Sequence, residues 1–85
     1  MSKFTFSERA WEEYIYWQTN DKKTLKRINQ LLKDIERNGN DGIGKAEPLK
    51  YRDGWSKRID DCNRLVYEIK GDTIEIIQCK GHYGS

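Results

Sequence analysis

The hydrophobic period of this chain switches from helical to strand-like at its glycine-rich stretch, and that change restricts the fold more than any other feature. From Ser7 to Asn38 apolar residues recur at helical spacing. Leu25, Ile28, Leu32 and Ile35 stand at steps of three, four and three, which marks one buried stripe on an α-helix. After the glycine-rich stretch Gly39–Gly44 the period becomes two. Trp55, Lys57 and Ile59 alternate with Ser56, Arg58 and Asp60; Leu65, Tyr67 and Ile69 alternate with Arg64, Val66 and Glu68. Helices followed by strands within 85 residues predict an α+β fold, with two N-terminal helices packed on an antiparallel sheet.

Punctuation residues set the boundaries. Lys3-Phe4-Thr5-Phe6 alternates and predicts a short first strand, after which Ser7 is a good N-cap and Glu8 favours the first helical turn. Trp11, Tyr14, Ile15 and Gln18 fall on one helix face, with Tyr16 and Trp17 alongside, and this cluster is expected to pack on the sheet. Asn20-Asp21 breaks the helix and Asp21 caps the next, so the two run antiparallel as a hairpin. Lys22, Lys23, Lys26, Arg27, Lys33 and Arg37 mostly occupy the outer faces of the second helix, which Gly39 stops.

The glycine-rich stretch has neither P-loop nor dinucleotide spacing and reads as a connector. Leu49-Lys50-Tyr51 is expected as a short strand, Asp53-Gly54 as a turn, Gly71-Asp72 as a hairpin turn and Thr73–Cys79 as the last strand. Without repeats or a linker, residues 1–85 are expected to form one domain.

Sixteen basic residues face fourteen acidic ones, a formal charge of +2, too near neutral to announce a nucleic-acid binder. The distribution is more informative. Residues 1–20 and 65–85 each carry two basic and three acidic groups, whereas 21–64 carries twelve and eight, so a polyanion should meet the middle of the chain. No apolar run suits a signal peptide or a membrane span, and the two cysteines, Cys62 and Cys79, read as reduced thiols of a cytoplasmic protein. Cys79 and His82 have a Cys-x-x-His spacing without a second such pair, so neither a metal nor another cofactor is expected.

One polar set suggests chemistry. Glu47 lies between Lys45 and Lys50, Arg58 shares a strand face with Ser56 and Asp60, Arg64 opens the next strand, and His82-Tyr83 follow the last. Neighbouring antiparallel strands allow these residues to converge. Cleaving RNA through its own 2′-OH requires a base for the hydroxyl proton, an acid for the departing 5′ oxygen and cations for the phosphorane. A Glu, a His and two Arg fill these roles by type, and Tyr83 offers a face for an unpaired base. The same residues also admit plainer readings. Arg58 and Arg64 can pair with Asp60 or Asp61, Glu47 can be a surface ion pair among lysines, and His82 an exposed bystander.

The spelling of the segments adds a resemblance. Gly42-Ile43-Gly44-Lys45-Ala46-Glu47-Pro48-Leu49-Lys50 resembles the GxGKPEPLK segment of the YoeB/Txe toxins of the RelE superfamily. Trp55-Ser56-Lys57-Arg58-Ile59 is similar to their WSRRI, Arg64-Leu65-Val66-Tyr67 to HRLVY without its His, and Cys79–Tyr83 to their terminal CxxHY. Trp11–Trp17 resembles WDDYLYW, and Lys26–Asp34 resembles KKINELIKD.

The resemblance implies a microbial-RNase-like fold and a ribosome-dependent endoribonuclease that cuts mRNA in the A site without a metal. It implies Glu47 as general base, His82 as general acid, Arg64 on transition-state charge and Arg58 on phosphate. Tyr83 would contact the substrate near the cleaved bond, with Lys45 and Lys50 as substrate-binding residues. Implied partners are mRNA on the ribosome and a YefM/Axe-like antitoxin, with a toxin homodimer as a further candidate and no membrane. The alternative is a weak or inactive toxin of RelE/ParE fold, acting as an antitoxin-binding module or a gyrase poison. Ala46, Lys57, Asn63 and Gly81 depart from the family spelling, and Gly84-Ser85 follow the tyrosine that usually ends it. Ala46 is expected to free the backbone beside Glu47, Gly81 to loosen the catalytic end, and Asn63 to lack whatever the family histidine does.

Overall fold

Asp21 closes one helix and opens the next. Its N–H donates to the Trp17 carbonyl at 3.0 Å, ending α1 (Glu8–Asn20). Its carboxylate accepts from the Thr24 N–H at 3.1 Å and the Thr24 hydroxyl at 2.8 Å, in the first turn of α2 (Lys22–Asn38). These bonds hold the Asp21 carboxyl below the usual range, and the one-residue joint folds the helices into a hairpin. The computed structural model describes residues 3–82. β1 (Lys3–Phe6) precedes the helices; a 3-10 turn (Gly39–Asp41), β2 (Glu47–Pro48), β3 (Trp55–Arg58), β4 (Arg64–Lys70) and β5 (Thr73–Gln78) follow.

The strands form one sheet in the order β1-β5-β4-β3-β2, with the helices packed on it. β2 to β5 make the expected antiparallel meander. β1 instead runs parallel to β5, Lys3 opposite Thr73 through Phe6 opposite Ile76, so the sheet is mixed rather than antiparallel. A parallel pair needs a long crossover, and the helical hairpin with the meander provides one. Ser7 fixes the junction. Its N–H donates to the Ile76 carbonyl at 2.9 Å, its hydroxyl donates to the Ile77 carbonyl at 2.7 Å, and Oγ accepts from the Ala10 N–H at 3.0 Å as N-cap. The short strand expected at Leu49–Tyr51 lies earlier, at Glu47–Pro48, because the Leu49 N–H closes a loop onto the Gly54 carbonyl at 3.1 Å.

The core lies between the helices and one sheet face. Ala10 and Trp17 of α1 and Ile28, Leu31 and Ile35 of α2 meet Leu65, Tyr67, Ile74 and Ile76. A fully buried side chain of this kind contributes about 1.5–3 kcal/mol. The expected stripe of α2 is rotated toward Leu31, leaving Leu25 and Leu32 half-buried. The face of α1 differs more. Trp17 goes inward because its indole N–H reaches the Cys79 carbonyl at 2.9 Å, whereas Trp11 remains 51% exposed and Ile15 and Tyr16 are also exposed. Among the described residues no helix is long and apolar enough to cross a membrane.

Candidate active site

Pairing register gathers the site on the sheet face opposite the helices. Glu47 of β2 stands opposite Ser56 of β3, Ser56 opposite Val66 of β4, and Val66 opposite Gln78 of β5. Side chains two apart on a strand share a face, so Arg58 and Arg64, themselves paired, join this row. Val66 and Gln78 are buried beneath it. Leu65 and Tyr67 point the other way, into the core.

Arg64 is the hub. Its Nε donates to Ser56 Oγ at 3.0 Å, and Nη2 reaches the Ser56 carbonyl and Glu47 Oε1, both at 3.4 Å. The guanidinium is mostly shielded, at 21% side-chain exposure, while the Glu47 carboxylate is 63% exposed. Both line a cleft of about 240 Å³ together with Leu49, Lys50, Tyr51 and Ser56. A fixed cation beside an open carboxylate can stabilise negative charge while the carboxylate exchanges a proton.

A buried ion pair supports the loop that carries Glu47. Lys57 is wholly buried, and its ammonium donates to Asp34 Oδ2 at 3.3 Å and to the Gly39 carbonyl at 3.1 Å. Asp34 also accepts from the Asn38 amide and the Ile43 N–H, both at 2.8 Å. The Asn38 bond, then the Ile43 and Lys57 bonds, hold its carboxyl below the usual range against partial burial. Gly42 passes so near that a β-carbon there would fall on the Asp34 carboxylate. The loop ends with the Arg58 N–H donating to the Gly44 carbonyl at 3.1 Å.

The sequence-predicted residues divide into groups. Glu47, Lys50 and Arg64 share the cleft. Arg58 lies on the same face but directs its guanidinium to Asp61. Lys45 is exposed at a positive φ of 47°, outside the cleft lining. His82 is exposed, and the preceding residue is tied to β4, the Arg64 N–H donating to the Gly81 carbonyl at 3.0 Å. Tyr83 and Gly84-Ser85 lie outside the described residues. Cys79, by contrast with the exposed His82, is buried, its thiol against the Ala10 carbonyl and pushed up to about 12 by that burial.

Sequence reading missed two supporting residues: Ser56, which orients Arg64, and Asp34, which pairs with the buried Lys57. Strand alternation held a signal for both. It places Ser56 beside Arg58 and puts Lys57, a cation, among core positions where burial demands a partner.

Residues 6–83 match the family model of the YoeB-like toxin of bacterial type II toxin–antitoxin systems. The chain belongs to that family. It is 46% identical over 83 residues to the toxin YoeB of Streptomyces coelicolor, covering 95% of this chain and 99% of that protein. The YoeB dimer from Staphylococcus aureus superimposes with a TM-score of 0.90 at 49% identity, over 96% of this chain and 98% of that one. For the YoeB–YefM complex from the same organism the TM-score is 0.89 at 48% identity, over 98% and 99%. The toxin-family resemblance read from the ordered segments therefore holds along the chain.

Proposed function

We propose that this member of the YoeB-like family is the toxin of a type II toxin–antitoxin system and an endoribonuclease that cleaves mRNA in the ribosomal A site. The observation that carries the reading is the Arg64 guanidinium held between Ser56 and Glu47 at the wall of an open cleft. Glu47 takes the proton from the 2′-OH, which attacks the adjacent phosphorus. Arg64 stabilises the phosphorane charge, with Ser56 fixing its fork. His82 protonates the departing 5′ oxygen, leaving a 2′,3′-cyclic phosphate and a 5′-hydroxyl. Lys45, Lys50 and Arg58 hold neighbouring phosphates, Arg58 by exchanging Asp61 for substrate, and Tyr83 stacks on a base near the cut. The chemistry needs only these side chains and the nucleophile that the RNA brings.

In this reading residues 1–85 work as one domain in the cytoplasm, where the ribosome holds the substrate. The family includes a YoeB–YefM complex and a YoeB dimer, so a YefM-like antitoxin and a second copy of the toxin are the proposed protein partners. The test is to add purified toxin to ribosomes programmed with a defined mRNA and map the new 5′ ends. Wild-type protein should cut in the A site, with a bell-shaped pH profile, and Glu47→Ala and His82→Ala should abolish the cut. Cleavage that persists unchanged in both variants would overturn the mechanism. Trapped gyrase–DNA complexes with intact mRNA would favour the gyrase-poison alternative, and normal growth without antitoxin the binding-only one.

A further inference from the structure

The side-chain amide of Asn63 bridges Asp60 on one side and Gly81 on the other. Its Nδ2 donates to both carboxylate oxygens of Asp60, at 3.0 and 3.2 Å, and its own N–H donates to Asp60 Oδ1 at 2.9 Å. Its carbonyl accepts from the N–H groups of Ile59 and Asp60 at 3.0 and 3.2 Å, closing the β3–β4 turn. That leaves Oδ1, which accepts the Gly81 N–H at 2.8 Å. The Gly81 carbonyl accepts from the N–H of the next residue, Arg64, at 3.0 Å. Both backbone groups of Gly81 are therefore held by consecutive residues at the start of β4.

Gly81 adopts a φ of +81°, open to glycine and strained for other residues. Space is not the restriction, since a β-carbon there would meet nothing within 4 Å. Glycine loses the most backbone freedom on ordering, and the two bonds offset that loss. Gly81 itself is thus bonded at both of its backbone groups, and His82 is the residue that follows it.

We propose that Asn63 is a positioning residue that seats His82 beside Arg64 by clasping Gly81. The inference rests on His82 being the general acid. It assigns a specific role to the position where the family spelling has a histidine: an amide can donate to Asp60 and accept from Gly81 at once. The β3–β4 turn does not depend on this amide, because the N–H groups of Cys62 and Asn63 reach Asp60 Oδ1 without it.

The test compares Asn63→Ala with the swap Asp60→Asn/Asn63→Asp. In the swap a carboxylate at position 63 accepts from Gly81 and from the new amide at position 60, so the clasp is rebuilt with reversed polarity. In Asn63→Ala, amide exchange at Gly81 should rise about ten-fold, the loss expected for one such hydrogen bond. The single imidazole signal of His82, the only histidine in the chain, should move in the NMR spectrum. On programmed ribosomes kcat should fall about ten-fold or more with KM unchanged, because the acid is misplaced while binding surfaces remain. The swap should restore exchange, signal and kcat together.

Unchanged Gly81 exchange in Asn63→Ala, faster exchange with unchanged kcat, or a swap that restores neither would overturn the proposal. A wild-type protein that leaves ribosome-bound mRNA intact defeats the reading beneath it and the catalytic purpose assigned to Asn63. The exchange measurement needs no cleavage and tells the two failures apart.

Discussion

Arg64 Nη2 lies 3.4 Å from Glu47 Oε1 across the intervening strand β3, with the carboxylate largely open to solvent. An ion pair this exposed contributes at most about 1 kcal/mol to stability. The arrangement therefore has more to offer chemistry than folding. Glu47→Gln and Arg64→Ala should each lower single-turnover cleavage about 100-fold or more, while in Glu47→Gln the urea midpoint moves by no more than that pair's small stability allows. Ser56→Ala, which removes only the orienting oxygen, should have a smaller effect. Rates that fall only in proportion to lost folded protein would refute this.

The Lys57–Asp34 pair should behave asymmetrically. Asp34→Ala leaves a fully buried ammonium without its counter-charge, with only the Gly39 carbonyl as partner, and frees the Ile43 N–H, and should cost about 3–5 kcal/mol. Lys57→Met removes the buried charge and fills much of the same space, so its cost should be well below that of Asp34→Ala. Asp34 keeps Asn38 and Ile43 as partners in that variant. Urea unfolding of the two variants decides it, and equal losses would argue against the pair as described.

Acid sensitivity follows from the same carboxylate. Asp34 and Asp21 are held below their ordinary value of 3.8 in the folded protein. A depressed carboxyl stabilises the fold above its unfolded value, and that contribution is lost as pH falls through the folded one. Thermal midpoints should therefore drop below about pH 4, with Asp21 and Asp34 contributing separately. The drop should be shallower in Asp34→Ala, and parallel curves for variant and wild type would remove Asp34 from the account.

The two thiols should react on different timescales. Cys62 is exposed, whereas Cys79 is buried, bonded to the Ala10 carbonyl and raised to about 12 by desolvation. Reactivity requires thiolate and access. A thiol reagent at pH 8 should label one cysteine promptly and the second only in denaturant. Prompt labelling of both would mean that the joint between α1 and β5 opens readily.

Most local structure was legible because its causes lie within a few residues. Ser7 and Asp21 cap as their side-chain oxygens require, and the helical stripe differs by a modest rotation. Strand alternation sorted Ser56, Arg58 and Arg64 from Trp55, Lys57, Leu65 and Tyr67 before any pairing was known. It failed at Val66, on the polar side yet fully buried, because burial there depends on what lies across the sheet. The burial of Trp17 in place of Trp11 was equally hidden, since the choice rests on the carbonyl of Cys79, sixty-two residues away.

The sequence by itself determined the helix–strand order, the caps, the two faces of the meander and the family to which the chain belongs. These are written in residue types and spacings that act over one turn or one strand pair. Only the tertiary structure decided that β1 joins β5 in parallel, that Lys57 is buried against Asp34, and that Asn63 and Arg64 together hold Gly81. Each of those outcomes couples positions far apart in the chain. Such a partner is chosen by which groups remain unsatisfied once the core has closed, and no local pattern records that.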